Sequence, residues 1–93
     1  MNSLMIKEEI IIQNKLGLHA RAANKLVDVS SQFSSEISIT FNDKQVNGKS
    51  IMSVMLLAAA KGSQLSITAN GSDELIAMHA IKELINNLFD EDE

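Results

Sequence analysis

Two short stretches, EISITF at residues 36–41 and QLSITA at residues 64–69, alternate apolar and polar side chains with a period of two. Successive side chains of a strand leave opposite faces, so each stretch makes one apolar edge and one polar edge. Ile37, Ile39 and Phe41 share a face with nothing polar between them, and so do Leu65, Ile67 and Ala69. Such strands belong to a sheet with one covered face and one wet face, which is how antiparallel sheets are built. Residues 7–13, KEEIIIQ, read as a further strand because β-branched residues cluster there. Asn42-Asp43 predicts a tight turn into a short returning strand at 44–47.

Between these strands the period changes to that of a helix. In residues 20–33, Ala20, Ala23, Leu26, Val27, Ser30 and Phe33 form one stripe, with Arg21, Lys25, Asp28 and Gln32 opposite. A second helix is predicted from Ser50, closed by Lys61 and Gly62. A third starts at a Ser72 or Asp73 cap and runs to about Leu88. The order β-α-β-β-α-β-α defines an α+β protein, an open-faced β-sandwich. Its four-stranded antiparallel sheet is covered on one face by three helices. The 93 residues suit one domain spanning 1–93. The acidic tail at 90–93 is expected to be a frayed, solvated end.

That tail, Asp90 to Glu93, accounts for the whole net charge of −4, and the rest of the chain is balanced. A balanced body with only Phe33, Phe41 and Phe89 as aromatics lacks the basic surface and stacking platforms of a nucleic-acid binder. There are no cysteines, which excludes disulfides and thiolate metal sites. The N-terminus has no basic segment followed by a long apolar run, so no signal peptide is read. No apolar stretch approaches the roughly 20 residues of a bilayer-spanning helix. No membrane insertion and a cytoplasmic location are therefore expected.

The chemistry concentrates in LGLHARAA, residues 16–23. Gly17 permits a sharp turn, and His19 falls where that turn meets the first helix. The first amides of this helix, at Ala20, Arg21 and Ala22, lack intrahelical partners and carry partial positive charge. A ring nitrogen there lies beside an anion site. Arg21 adds a permanent charge and a fork of donors, and Lys15 and Lys25 raise the potential. The set suits an imidazole that carries a phosphoryl group. Imidazole is a competent nucleophile near neutral pH, and the helix dipole favours the arriving charge by about 0.3–1 kcal/mol, or about 2 if partly buried. A carrier must release its cargo, so moderate stabilisation is useful. Read from local sequence alone, His19 as a helix cap or a solvated side chain stays open. So does a small hydrolase using His19 as general base, although no nucleophile elbow accompanies it. The other histidine, His79, falls with Lys82, Glu83 and Asn86 on a polar helix face and reads as solvated. No metal site is formed from this set.

The second helix is apolar nearly all round, through Ile51, Met52, Val54, Met55, Leu56 and Leu57. One covering face cannot bury them all. Val54 and Leu57 are expected in the core. Ile51, Met52 and Met55 are expected to form a docking patch, since methionine adapts to several surfaces. Lys25 and Lys49 would form its charged rim. Ser50 is the expected N-cap.

LGLHARAA closely resembles the active-site segment of the HPr family, the histidine phosphocarriers of the bacterial phosphotransferase system. VNGKSIMSVMLLAAAKG, residues 46–62, resembles the family's second helix and regulatory serine, and the order of elements agrees along the whole chain. The resemblance implies that His19 accepts a phosphoryl group on Nδ1 from enzyme I, itself charged by phosphoenolpyruvate. It then passes the group to a histidine of an enzyme IIA component, with Arg21 as the active-site arginine. It also implies that Ser50 is the site of a dedicated HPr kinase/phosphorylase. The resemblance implies no cofactor, and a carrier rather than an enzyme. The family usually has proline after the arginine, where this chain has Ala22. NKLGLHAR and the ending LFDEDE resemble the nitrogen-related branch, NPr. GKSIMSVM resembles the sugar-transport branch, and the regulatory branch is preferred slightly. The rival is a non-catalytic regulatory module that binds protein through Ile51, Met52 and Met55 under control of Ser50. A monomer is expected, because a transient carrier must free its docking face.

Overall fold

A computed structural model describes residues 5–93. The reading of the N-terminal segment as free of a signal peptide falls partly on residues 1–4, outside the described residues. The elements are β1 (Met5–Ile11), α1 (Ala20–Ser30), β2 (Glu36–Phe41), β3 (Lys44–Asn47), α2 (Ile51–Met55), β4 (Gln64–Asn70) and α3 (Glu74–Asn86). A single 3₁₀ turn follows at Leu88–Asp90. The four strands form one antiparallel sheet in the order β1-β4-β2-β3. The β2–β3 turn is tight, with Asn42 and Asp43 at φ 50° and 66°. Positive φ at both central residues gives a twist that matches the flanking strands.

Register puts the apolar edges together. Ile10 faces Leu65, Ile39 faces Ile67 and Ile37 faces Ala69 across neighbouring strands. All six are buried. Helices α1 and α3 cover this face through Ala22, Ala23, Leu26, Ala77, Met78, Ile81 and Ile85, and α2 contributes Val54. The stripe expected on α1 is rotated slightly. Ala20 is exposed and Ala22 is fully buried, while Val27 and Phe33 are half-buried.

Three boundaries differ from the sequence expectation, each for a tertiary reason. First, β1 starts at Met5 and ends at Ile11, two residues before expected. Ile12 is still tied to the segment before β4, donating to Ser63 O at 2.9 Å and accepting from Gly62 N at 2.8 Å.

Second, α1 stops at Ser30, and Gln32 and Phe33 then donate to Val29 and Ser30 in tighter turns.

Third, α2 ends at Met55, well before the Lys61–Gly62 closure. Ala58 adopts φ 51°, and the carbonyl of buried Ala59 accepts the Leu18 amide at 2.8 Å. A helix continued through Ala59 would have to give that long-range bond up.

The cap of α3 is also different. Asp73 stands at the N-cap position, but its side chain makes no capping bond. Its carboxylate accepts from Ser34 N (2.9 Å), Ser35 N (3.0 Å) and Ser35 Oγ (2.5 Å), clamping the α1–β2 loop. The hydrogen bonds from the Ser35 side chain and the Ser34 amide hold its carboxyl at about 2, against an ordinary 3.8.

Candidate functional site

The site begins with the loop that delivers His19. Gly17 has φ 70°, donates to Asn14 O at 3.1 Å, and lies against the backbone of Ala59 and Ala60. Next to it Leu18 is buried and bonded to Ala59 O. These ties fix where α1 starts. His19 is its N-cap residue with extended backbone, and its carbonyl accepts Ala23 N at 2.8 Å. The amides of Ala20, Arg21 and Ala22 precede this first bond and form the free donor end of the helix.

The imidazole neither caps the helix nor dissolves into solvent. Its ring makes no capping bond, is 28% exposed, and places Nε2 2.5 Å from Glu91 Oε2. Glu91 Oε1 accepts from Asn14 Nδ2 at 3.0 Å, and the same amide donates to Gly17 O at 2.8 Å. Asn14 is fully buried. Burial pushes the Glu91 carboxyl up. The hydrogen bonds from Asn14 and His19 and the charges of His19 and Arg21 outweigh it and hold the carboxyl below its ordinary value.

The acidic tail is therefore not the frayed end that the sequence suggested. Leu88, Phe89 and Asp90 occupy the left-handed region at φ 59°, 53° and 64°. This conformation costs roughly 1–2 kcal/mol per residue for side chains with a Cβ. Complete burial of Phe89 offsets part of that cost, worth about 1.5–3 kcal/mol. Lys25 Nζ donates to Phe89 O at 2.9 Å and lies 3.8 Å from Asp90. Lys15 N donates to Glu93 O at 3.0 Å. The tail thus closes one side of an open depression that His19, Lys15, Leu16, Arg21 and Lys25 also line.

Arg21 is exposed at the rim of this depression beside His19. Lys25 is engaged by the tail rather than standing free as a rim charge. Lys49 is engaged too, donating to Phe33 O at 2.6 Å beyond the end of α1. Ser50 is the N-cap of α2. Its Oγ accepts from Ser53 N at 3.4 Å and bonds Ser53 Oγ at 3.0 Å. Met52 and Met55 are exposed and Ile51 is half-buried, while Val54 and Leu57 are core. Leu16 and Leu56, not placed in the docking patch from sequence, are exposed to 68% and 67%, more than Met55 at 41%. Among the described residues no group of three or more His, Cys, Asp or Glu side chains could hold a metal ion. No helix among them is long and apolar enough to cross a membrane. His79 is exposed on α3, 4.0 Å from Glu83.

Asn14 and Glu91 were the residues that sequence reasoning missed. One signal pointed to Glu91: a four-residue acidic tail in a chain whose helix-start segment is basic.

Known proteins resemble this chain over nearly its whole length. Residues 6–87 match the family model for the PTS HPr component phosphorylation site. The phosphocarrier protein HPr of Neisseria meningitidis is 55% identical over 89 residues, covering 96% of this chain and all of that one. The phosphocarrier protein HPr of Pseudomonas putida is 52% identical over 90 residues, with 96% and 100% coverage. Among solved structures, HPr-C-His from Thermoanaerobacter tengcongensis superposes with a TM-score of 0.91 at 41% identity. It covers 95% of this chain and 99% of that one.

Proposed function

The chain belongs to the HPr family of phosphocarriers of the phosphotransferase system, and from that premise we propose that His19 is the residue that carries the phosphoryl group. One observation carries the assignment. His19 begins α1 with a partly exposed imidazole, beside the unpaired amides of Ala20, Arg21 and Ala22 and the guanidinium of Arg21. Donors fixed by the helix meet developing negative charge without reorganising. Nδ1 attacks phosphorus, enzyme I supplies the group, and an enzyme IIA component receives it. Incubation with phosphoenolpyruvate and enzyme I should yield an acid-labile, base-stable phosphate that His19→Ala abolishes. Persistence of that phosphate in His19→Ala would remove the assignment.

Partner docking is proposed at Met52, Met55 and the exposed edge of Ile51, extended by Leu16 and Leu56. The carrier acts as a cytoplasmic monomer. Lys25 and Lys49 steer acidic partners from positions where each also ties down backbone. Ser50 is proposed as a kinase target: it caps α2, and a phosphate there would place negative charge beside the methionines. The regulatory, nitrogen-related branch rests on NKLGLHAR and the ending LFDEDE. The test is which enzyme IIA is phosphorylated fastest. Ala22 replaces the family's proline at a helix position whose amide lies outside the intrahelical ladder, so alanine there is compatible with transfer. A protein that takes phosphate only after Ala22→Pro would contradict this.

A further inference from the structure

The acidic tail reaches the reactive ring with one of its side chains, and the contact has a built support. Glu91 Oε2 lies 2.5 Å from His19 Nε2, while Glu91 Oε1 is held at 3.0 Å by Asn14, itself fully buried and bonded to Gly17 O. The Glu91 side chain is only 13% exposed. Phe89, fully buried, and Lys25, bonded to Phe89 O, fix the chain two residues upstream. The Lys15 amide bonds Glu93 O two residues downstream. A carboxylate anchored on both sides and gripped by a buried amide is a placed group.

A carboxylate has no proton to give, so the hydrogen between it and the ring belongs to Nε2. The neutral imidazole is then the Nε2–H tautomer, and its lone pair is on Nδ1. Among the described residues Nδ1 has no hydrogen-bond partner. We infer that Glu91 is a positioning residue for phosphoryl transfer at His19, holding the proton on Nε2 so that Nδ1 is the nucleophile. This rests on the carrier role proposed above for His19.

The step balances without any proton transfer. The Nδ1 lone pair forms the N–P bond as the bond to the donor's leaving group breaks, and that group keeps the electron pair. The ring becomes a phosphoimidazolium with its proton still on Nε2, and its new positive charge faces Glu91. In the second transfer the N–P pair returns to Nδ1, and neutral imidazole leaves rather than the far more basic imidazolate. Charge-assisted hydrogen bonds of this kind exceed neutral ones about twofold in strength. Lys15, Arg21 and Lys25 surround the pair with positive charge, and Asp90, Asp92 and Glu93 with negative. Among the described residues, Glu91 is the one group within hydrogen-bond or ion-pair distance of the ring nitrogens.

The test uses the full chain with nitrogen-15 in its histidines. Spectra are taken at pH 8.5, alkaline of imidazole's ordinary titration, and phosphoryl uptake from enzyme I charged by phosphoenolpyruvate is timed. In the wild type, the His19 ring should show one protonated nitrogen, Nε2, and one bare nitrogen, Nδ1. Glu91→Ala should move both shifts toward the two-tautomer average and slow uptake by about tenfold, the loss expected for one charge-assisted bond. Glu91→Gln offers one acceptor oxygen to the two donors, Asn14 Nδ2 and His19 Nε2, so its amide NH2 must face one of them and the His19 shifts should again depart from wild type. Ring shifts in Glu91→Ala that match wild type overturn the inference, and so does unchanged uptake. A wild-type protein that takes up no phosphate on His19 overturns the carrier role instead, while the shifts still report the Glu91 contact.

Discussion

Gly17→Ala should be among the most damaging single-methyl additions in this chain. The residue has φ +70°, and an added Cβ would lie 2.7 Å from Ala59 O and 2.8 Å from Ala60 Cα. Both neighbours are backbone, so no rotamer change relieves the overlap. The left-handed backbone alone costs about 1–2 kcal/mol. Forcing the two segments apart adds about 1–3 kcal/mol, the range for overpacked sites. It also stretches the bond from Leu18 N to Ala59 O, now 2.8 Å, worth about 1 kcal/mol. The sum is roughly 3–6 kcal/mol, against a total of about 5–14 for a domain of this size. Gly62→Ala is the internal control. Gly62 has φ +92° but nothing within 4 Å of its Cβ position, so only the backbone cost remains. Urea denaturation of both variants separates the two contributions. The expected result is a loss for Gly17→Ala at least about 2 kcal/mol larger than for Gly62→Ala. Because the same loop delivers His19, the surviving folded fraction of Gly17→Ala should also take up phosphate more slowly. Equal losses for the two variants would refute the close-approach argument and leave only φ.

Phe89→Ala should cost about 3–5 kcal/mol by urea denaturation, since the ring is fully buried, and a loss under 1 kcal/mol would mean that the tail is not anchored. Asp73 titrates at about 2 when folded, below its ordinary 3.8, so its contribution is complete above about pH 4 and disappears as pH falls through about 2. Urea midpoints of wild type and Asp73→Asn should therefore converge across that acid window, and curves that stay parallel would deny Asp73 its role as loop clamp. Ser50→Asp retains a capping oxygen and should keep the fold while weakening enzyme I docking, read as a raised KM for phosphoryl uptake. Identical uptake by the two proteins would discard the Ser50 switch.

Much of the architecture was legible because it is written at short range. Alternation in EISITF and QLSITA placed Ile37, Ile39, Leu65 and Ile67 on the covered face, and Asn42-Asp43 placed the hairpin turn. Ser50 was identified as an N-cap from its position before an apolar run. His19 and Arg21 were placed at a helix start, where the missing intrahelical partners follow from helix geometry alone, while their phosphoryl-carrying role was implied by the resemblance of LGLHARAA to the HPr family. Each of these inferences uses residues within one or two turns of each other.

What the sequence could not decide depends on segments that meet only after folding. Helix α2 should have run on through its alanines by propensity, yet Leu18 claims the Ala59 carbonyl and ends it early. Asp73 could have capped α3, but the α1–β2 loop lies within its reach and takes its oxygens instead. Lys25 and Lys49, expected as the charged rim of the docking patch, also bond main-chain oxygens of Phe89 and Phe33. The acidic ending was expected to be solvated because charge without local partners is normally solvated. His19 and Glu91 stand 72 residues apart in sequence, and the packing of Phe89 under the tail, with the ties from Lys25, Lys15 and Asn14, puts them in contact. Periodicity and caps belong to the chain's own local geometry. A partner for a side chain depends on which distant backbone the closed core leaves beside it.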